Sequence, residues 1–362
     1  MTSIIIVGGG YGGSLLARRL DPHCDVTLIE PRDAFVHNVA AMRAVMIPEL
    51  VDRIVLPYDR LLKRGRVVRD RVAGLGQSHV ALASGRVQQG DAIVVATGSR
   101  YAAPFKPQTD DCDDFRTAMR GANQAISQAR HVAIVGAGAV GVELAGEIAA
   151  SMPGKRVTLI NEGQRLFADF TASLGQRLEK DLDALGVRLI KGMRVADLKA
   201  TDRPTEGPLS LSDGKTIDAD LVIPAIGSRF DNMLLRTVPQ ATFDSVGRAV
   251  VDSWLRLPGF ANIFVLGDAA ANGDKATIVA VMRQCDWLAK HLLARAGSAK
   301  SEKLAAYRPY KVQPILVPVG PARGASVLPF GAKGMAVGAW LTSAIKGKDL
   351  FVSRYRKDFH LK

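Results

Sequence analysis

A run of four β-branched apolar residues leads directly into a glycine-rich turn at the start of the chain. Residues 4–7 precede Gly8, Gly10 and Gly13, which have the spacing G-x-G-x-x-G, and residues 14–20 continue with helical periodicity. This pattern predicts a buried parallel strand, a tight turn and a helix. The first glycine permits the turn, the second permits close approach of a diphosphate, and the third permits tight helix–strand packing. The positive helix end and the freed N–H groups then bind the diphosphate without a cationic side chain.

The same pattern occurs a second time in the chain. The strand after the first turn ends at Glu30, where a carboxylate can accept hydrogen bonds from an adenosine ribose. Gly136, Gly138 and Gly141 repeat the glycine spacing, and residues 156–160 repeat the second strand. A glycine-rich turn without a nucleotide is the alternative interpretation of one such motif. Recurrence of the whole unit favours two dinucleotide-binding units.

Two such units in one chain suggest redox chemistry, because a hydride carrier in one unit must meet an electron acceptor in the other, and a flavin is the usual acceptor. We therefore predict an α/β fold with two Rossmann-like dinucleotide-binding domains and a small C-terminal segment. The predicted ranges are 1–115 with 245–310 for the FAD-binding domain, 116–244 for the NAD(P)H-binding domain, and 311–362 for the C-terminal segment.

Composition and cysteine usage narrow the class of protein. The chain has 362 residues, of which 48% are hydrophobic and 23% charged, which is ordinary for a globular protein. No apolar run approaches the roughly 20 residues of a membrane span, and the early first strand favours a cytoplasmic protein without a signal peptide. Cys24, Cys112 and Cys285 are far apart and lack C-x-x-C or metal-binding spacing. We therefore expect no metal site and no exit of electrons through a protein dithiol.

The formal net charge of +13 suggests three kinds of partner: an anionic membrane surface, an acidic protein or, less favoured, a nucleic acid. A solvated basic surface is the alternative. Residues 331–345 are predicted to form a small-residue apolar helix, and the segment after it mixes basic and aromatic side chains. We expect this C-terminal part to lie at a membrane surface, on its inner face, or to pack on the flavin domain. The oligomeric state is left open.

The segment after Glu30 falls, in chain order, where the flavin ring is expected. Arg43 is a candidate for contact with the flavin phosphates or adenosine, the alternative being a surface salt bridge. His37 is a candidate for lining the ring or an acceptor pocket, the alternative being a buried structural hydrogen bond. The backbone near Val67 is a candidate for recognising the adenine edge.

Two later strands return the chain to the flavin. One ends at Thr97 and Gly98, and the other ends at Gly267 and Asp268, whose carboxylate is expected to accept a hydrogen bond from a ribityl hydroxyl. Lys275 opens the next helix, where positive potential would stabilise a reduced, anionic flavin. Plain surface charge is the alternative for this lysine.

The second unit differs from the first at the end of its second strand. Asn161 replaces the acid that Glu30 provides in the first unit, and Glu162 follows it. Arg156 and Arg165 are nearby, so a 2′-phosphate is not clearly repelled. NADH is therefore the first choice of nucleotide, and NADPH is the second.

The predicted site residues fall into three groups. The predicted catalytic residues are Glu143 and Lys275. Glu143 is expected to orient the nicotinamide, and the alternative is that it stabilises the helix N-terminus. The predicted FAD-binding residues are Gly8, Gly10, Gly12, Gly13, Glu30, Arg43, Val67, Thr97, Gly98, Gly267 and Asp268. The predicted NAD(P)H-binding residues are Gly136, Gly138, Val140, Gly141, Glu143, Asn161, Glu162 and Gly227.

The chain resembles the two-dinucleotide-domain flavoproteins related to apoptosis-inducing factor and type II NADH dehydrogenases, and most specifically the ferroptosis-suppressor type. Two stretches carry the specific part of the resemblance: DAFVHNVAAMRA at 33–44 and KDLFVS at 348–353. The resemblance implies FAD in the first unit, NAD(P)H in the second, and a quinone that reaches the flavin near Phe35, His37 and Phe330. The myristoylation glycine of that type is missing, and few matches survive in 201–245.

The predicted reaction is ping-pong. A hydride passes from nicotinamide C4 to flavin N5, the oxidised nucleotide leaves, and a quinone such as ubiquinone takes two electrons. The first alternative is an NADH-dependent reductase of a ferredoxin-like protein. The second is a redox-sensing or nucleic-acid-binding flavoprotein.

Overall fold

A computed structural model describes residues 1–230, 232–297, 305–332 and 334–361. The strands within them are β1 (Ser3–Val7), β2 (Asp25–Ile29), β3 (Ala34–Val36), β4 (Val55–Pro57), β5 (Arg66–Val68), β6 (Val72–Leu75), β7 (His79–Leu82), β8 (Val87–Gln89), β9 (Ala92–Val95), β10 (His131–Val135), β11 (Arg156–Asn161), β12 (Arg188–Lys191), β13 (Thr205–Glu206), β14 (Leu209–Ser210), β15 (Thr216–Ile217), β16 (Leu221–Pro224), β17 (Ala249–Val250), β18 (Ile263–Val265), β19 (Ala270–Ala271), β20 (Ile315–Val319), β21 (Arg323–Leu328) and β22 (Met335–Val337). The α-helices are α1 (Tyr11–Leu20), α2 (Ala41–Ala44), α3 (Pro48–Ile54), α4 (Cys112–Gln128), α5 (Ala139–Ser151), α6 (Ala172–Asp183), α7 (Met233–Arg236), α8 (Ile278–Arg295), α9 (Ala339–Thr342) and α10 (Val352–Asp358).

Two sheets carry the two glycine-rich turns. The first has the order β18-β9-β1-β2-β5 and is parallel throughout. The second has the order β12-β11-β10-β16-β13 and is parallel except for β13 at its edge. Each glycine turn follows the central strand of its sheet and opens a helix, α1 or α5. The predicted α/β fold with two Rossmann-like units is confirmed, and the predicted domain boundaries stay predictions.

Burial on both faces explains why β1 is apolar at every position from Ile4 to Val7. Ile4 and Ile6 pack into one core with α1 and α8, whereas Ile5 faces the other core, which includes β7. All three isoleucines are fully buried. Successive side chains of a strand point to opposite faces, so a strand covered on both sides has no polar position.

The C-terminal segment forms an antiparallel sheet in the order β20-β21-β22, and this sheet packs on α5 and α6. The prediction of a helix over 331–345 is wrong. Met335–Val337 pair as β22 with β21. Among the described residues of this range, only those of α9 and of a π-helical turn at Ser343–Gly347 are helical. Pairing with a neighbouring strand satisfies the backbone of β22, and Gly331, with φ of +71°, suits the turn before it. Among the described residues, no helix is both long and apolar enough to cross a bilayer.

Helix α5 connects the three parts of the molecule through two buried carboxylates. Glu143 and Glu147 are one helical turn apart and 4% and 3% exposed. Lys346 of the C-terminal segment donates to Glu143 at 2.6 Å, and Arg43 of the first unit donates to Glu147 at 2.7 Å. These ion pairs fix the first unit and the C-terminal segment on the same helix of the second unit.

Candidate active site

The first cavity, of about 510 Å³, lies at the carboxyl ends of the strands in the first sheet. The predicted FAD-binding residues in its wall are Gly8, Gly10, Gly12, Glu30, Thr97, Gly98, Gly267 and Asp268. A Cβ at Gly13 would lie 1.8 Å from the Gly8 carbonyl oxygen, so Gly13 serves close packing behind the wall. A Cβ at Gly10 would meet no atom within 4 Å, so its absence leaves space on the cavity side. Both observations agree with the roles that the fingerprint assigns to these glycines.

Glu30 is held in a fixed position at the end of β2. Its carboxylate accepts from the Gly9 N–H at 2.5 Å and forms an ion pair with Arg32 at 2.8 Å. Burial raises the pKa of Glu30, but the Arg32 guanidinium and the hydrogen bonds from Arg32 and Gly9 outweigh burial and lower it below the usual value. Glu30 is therefore a carboxylate available to ribose hydroxyls, and Arg32 is a supporting residue that sequence reasoning missed.

A polar cluster occupies the region between β9 and the Gly267 turn. The Ser99 hydroxyl donates to Asp268 at 2.6 Å, and Lys106 donates to the Ser99 hydroxyl at 2.7 Å and to the Ser99 carbonyl at 2.9 Å. Burial lowers the pKa of Lys106, and nearby Asp268 partly offsets this. Lys106 lies in a polar loop with no motif around it, and only the fold brings it to Asp268.

The second cavity, of about 620 Å³, meets the first at Tyr11, Asn38, Lys106, Asp268 and Val281, which line both. Asn38 has a buried side-chain oxygen that accepts no hydrogen bond from any described residue. An unpartnered buried acceptor costs free energy unless a ligand donates to it. The shared wall therefore fits a polar, planar group such as the flavin ring, and Asn38 is a further candidate contact.

The second cavity opens onto the second glycine turn. Gly138, Val140, Glu143 and Asn161 line it. Gly136 and Gly141 support the turn from behind, because a Cβ at Gly141 would lie 1.9 Å from the Gly136 carbonyl oxygen.

Glu143 and Lys346 form a buried ion pair in the wall of the second cavity. Burial raises the pKa of Glu143, and Lys346 opposes this shift only in part. Burial therefore favours the protonated form of Glu143 more than it would for an exposed carboxyl group. Lys346 lies two residues before the KDLFVS stretch and was not predicted as a site residue.

Lys275 lies in the wall of the second cavity, where it forms an ion pair. Its ammonium donates to Asp169 at 2.6 Å and lies 5.0 Å from the centroid of the Phe170 ring. All three residues line the second cavity, and they join the turn before α8 to the loop after β11. Lys275 is thus in an ion pair in the wall of the second cavity, and its predicted contact with the flavin stays a prediction.

Comparison with known proteins decides the family. The family model described as pyridine nucleotide-disulphide oxidoreductase matches residues 2–284. The chain belongs to this family. It is 29% identical to apoptosis-inducing factor homolog B of Dictyostelium discoideum over 97% of this chain and 95% of that protein. It is 28% identical to human ferroptosis suppressor protein 1 over 97% of this chain and 94% of that protein. The structure of sulfide:quinone oxidoreductase from Aquifex aeolicus has a TM-score of 0.77 at 15% identity, over 99% of this chain and 91% of that one.

Membership in the pyridine nucleotide-disulphide oxidoreductase family confirms the predicted resemblance and the predicted cofactors, FAD and NAD(P)H. The disulphide in the family's name does not extend to this chain's cysteines. Cys24, Cys112 and Cys285 are all buried and unpaired. Burial raises the pKa of Cys112 and Cys285 to about 12, which keeps both thiols protonated.

Besides the three glycines that support the turns from behind, four predicted nucleotide contacts lie outside the cavity walls. Arg43 forms a buried ion pair with Glu147 of α5. Val67 is paired with Leu28 inside the first sheet, and the first cavity is lined further along the chain by Arg71, Val72 and Ala73. Glu162 is exposed outside the wall that Asn161 lines. Gly227 precedes Ser228, which lines the second cavity in its place.

His37 is a buried structural residue, and its predicted contact with a quinone is replaced by two hydrogen bonds. Its Nε2–H donates to the Leu350 carbonyl at 2.7 Å, so Nδ1 accepts from the Tyr11 hydroxyl at 2.9 Å. The His37 ring stacks on Tyr355 with centroids 4.5 Å apart. Burial lowers the pKa of His37 to about 4, so the imidazole is neutral at neutral pH.

The other two predicted quinone contacts differ in exposure. Phe35 is 1% exposed, borders the first cavity and stacks on Phe359. Phe330 is 63% exposed in the turn before β22. Neither lies in the wall of the second cavity, and the predicted contact of these residues with a quinone stays a prediction.

Replacement of Gly10 by Ala separates cofactor binding from folding. The backbone of Gly10, with φ of −68°, accommodates alanine, and its Cβ would meet no protein atom within 4 Å. We expect Gly10→Ala to fold normally but to purify with FAD occupancy reduced by about tenfold or more, because the methyl group occupies the space that the diphosphate approaches. Absorbance at the flavin band relative to protein measures this. Gly121→Ala on α4, also in open space, should keep full occupancy. Full flavin content in Gly10→Ala would contradict the assignment of the first cavity.

Protonation of His37 should destabilise the protein in acid. Between pH 6.5 and about 4 the unfolded chain binds a proton that the folded chain excludes, so the free energy of unfolding falls as pH falls through this window. We expect a loss of about 2 kcal/mol from this group between pH 7 and pH 5. The free energy of unfolding, measured with urea at both pH values, checks this. His37→Gln should lose this part of the pH dependence, and His360→Gln, at an exposed position, should retain it. An unchanged pH dependence in His37→Gln would show the assignment to be wrong.

Proposed function

We propose that the chain is an NAD(P)H:quinone oxidoreductase. The observation that carries the proposal is the composition of the second cavity. Its wall combines the second glycine turn, the shared residues next to the first cavity, and apolar side chains from both the first unit and the C-terminal segment. The apolar side chains are Val39, Met42, Ile315 and Leu316. A nucleotide turn, a flavin-facing wall and an apolar wall in one cavity suit a hydride donor and an apolar acceptor.

The residues of the chain have distinct tasks in this proposal. FAD, when bound, supplies a two-electron carrier between the nicotinamide and the acceptor. Asp268, Lys106 and Asn38 hold the flavin at the shared wall. Glu143 holds the proton that a reduced quinone requires, and Lys346 keeps its carboxyl group in place.

Two further observations support a quinone over other acceptors. The three cysteines are buried and unpaired, so a dithiol acceptor is not provided by the described residues. The Aquifex aeolicus neighbour is named for a quinone acceptor and matches 99% of this chain. A ferredoxin-like protein remains the second candidate, because the net charge of +13 suits an acidic partner.

The test is an anaerobic half-reaction experiment. The FAD-containing protein is reduced with NADH, followed at the flavin absorbance band, and then mixed with a short-chain ubiquinone. We expect NADH to bleach the flavin absorbance and the quinone to restore it rapidly. Glu143→Gln should slow the return about 100-fold through loss of proton transfer, whereas Glu49→Gln at an exposed position should not. Bleaching without return by quinone would contradict the proposal. If flavin absorbance returns only with a ferredoxin-like protein, the second candidate is favoured. If it returns slowly with every acceptor, a redox-sensing role is favoured.

We also propose that the quinone is met at a membrane surface through the C-terminal segment. Phe330, Met335, Trp340 and Ile345 are 63%, 45%, 83% and 37% exposed within sixteen residues of chain. Exposed aromatic and aliphatic side chains on a basic protein suit the interface of an anionic bilayer.

Co-sedimentation with vesicles tests this surface. We expect binding to phosphatidylcholine vesicles that contain phosphatidylglycerol, and about tenfold weaker binding for a variant with Phe330→Ser and Trp340→Ser, because both side chains lose apolar burial. Val246→Ser removes an apolar side chain that is 54% exposed elsewhere, and this variant should bind as the unmodified protein does. Equal binding of all three proteins would exclude this surface.

A further inference from the structure

The two dinucleotide units end their second strands at equivalent positions. In the first unit Val7 pairs with Ile29 and the Gly8 N–H donates to the Ile29 carbonyl at 2.9 Å. In the second unit Val135 pairs with Ile160 and the Gly136 N–H donates to the Ile160 carbonyl, also at 2.9 Å. The next residue is therefore the same structural position in both units: Glu30 in the first and Asn161 in the second.

The two residues have different chemistry at this position. The Glu30 carboxylate accepts the Gly9 N–H and pairs with Arg32, so it keeps a negative charge where the adenosine ribose lies. Asn161 is neutral, and its amide N–H groups donate to the carbonyls of Gly163 at 2.6 Å and Arg165 at 3.2 Å. Asn161 thus removes the charge that excludes a 2′-phosphate and fixes the loop that carries Arg165.

Arg165 is the arginine that the fold brings to this cavity. Arg165 lines the second cavity together with Asn161, and its exposed guanidinium forms no ion pair or hydrogen bond with the described residues. Arg156 begins β11, about 16 Å from Asn161 at the strand rise of 3.3 Å per residue, and cannot serve the same position.

The acidic residues near Arg165 do not cancel its charge. Asp169 and Glu143, which also line the cavity, are paired with Lys275 and Lys346 at 2.6 Å each. Glu162 is exposed and lies outside the cavity wall. A positive, planar donor group next to a neutral ribose position is suited to a phosphate monoester.

We propose that Arg165 binds the 2′-phosphate of NADPH, with Asn161 as its positioning residue, so that this chain uses NADPH in preference to NADH. The inference rests on the proposed function only in taking the second cavity as the nicotinamide nucleotide site. It revises the first choice of nucleotide that the sequence alone favoured.

Binding of two small nucleotides to the FAD-containing, oxidised full-length protein tests the proposal without turnover. The probes are adenosine 2′,5′-bisphosphate and 5′-AMP, which differ in the 2′-phosphate, and isothermal titration calorimetry gives both dissociation constants. We expect the bisphosphate to bind about tenfold more tightly or better, as one charge-assisted contact provides. The preference should shrink as salt is raised.

Matched variants locate the contact. Arg165→Gln should remove most of the preference for the bisphosphate, and Arg165→Lys should retain part of it through the charge alone. Arg156→Gln makes the same change of charge at the other end of β11 and should leave the preference intact. Asn161→Asp should reverse the preference in favour of 5′-AMP, because a carboxylate repels the phosphate.

Three outcomes would overturn the proposal: equal affinities of the unmodified protein for both probes, equal loss of preference in Arg156→Gln and Arg165→Gln, or no binding of either probe. The last outcome would also remove the nucleotide from the second cavity. Failure of the quinone proposal can be distinguished from failure of this one. The quinone proposal is tested by the return of flavin absorbance, and its failure would leave these dissociation constants unchanged.

Discussion

The buried carboxylates of α5 are the constraint on which the arrangement of the molecule depends. Removing Glu143 and Glu147 from water is costly, and each therefore requires a cation with good hydrogen-bond geometry. The cations come from elsewhere in the chain, Lys346 from the C-terminal segment and Arg43 from the first unit. The second unit thus fixes where the other two parts lie, and the second cavity is formed where they meet.

The shared wall of the two cavities shows how the same packing produces chemistry. Tyr11 lies within the first glycine turn, Asn38 follows β3, and Asp268 follows β18. These residues are separated by tens to hundreds of positions in the chain. The carboxyl ends of the parallel strands β1 and β18 meet at one edge of the first sheet, and Asn38 after β3 lines the same cavity. Lys106 joins them through Ser99. A flavin at this edge would lie beside the second cavity.

Predictions from sequence succeeded where a pattern is local. The glycine spacing and the strand before it predicted both turns. The backbone conformation that lets a diphosphate approach closely depends on only a few consecutive residues. Predictions failed where a side chain depends on distant neighbours. Arg43 was assigned to the flavin, yet it is paired inside the protein with Glu147 of the second unit. Residues 331–345 have helical composition, but pairing with β21 stabilises a strand.

The sequence by itself determined the fold class, the two dinucleotide units and the absence of a cysteine pair for dithiol chemistry. It also showed that Asn161 replaces an acid, since this depends only on alignment of the two repeats. Only the tertiary structure decided which of Arg156 and Arg165 reaches the cavity, and that His37 is a core residue with Leu350 as its partner. The reason is physical: charge pairing and burial depend on distances between segments, and local periodicity carries no information about those distances.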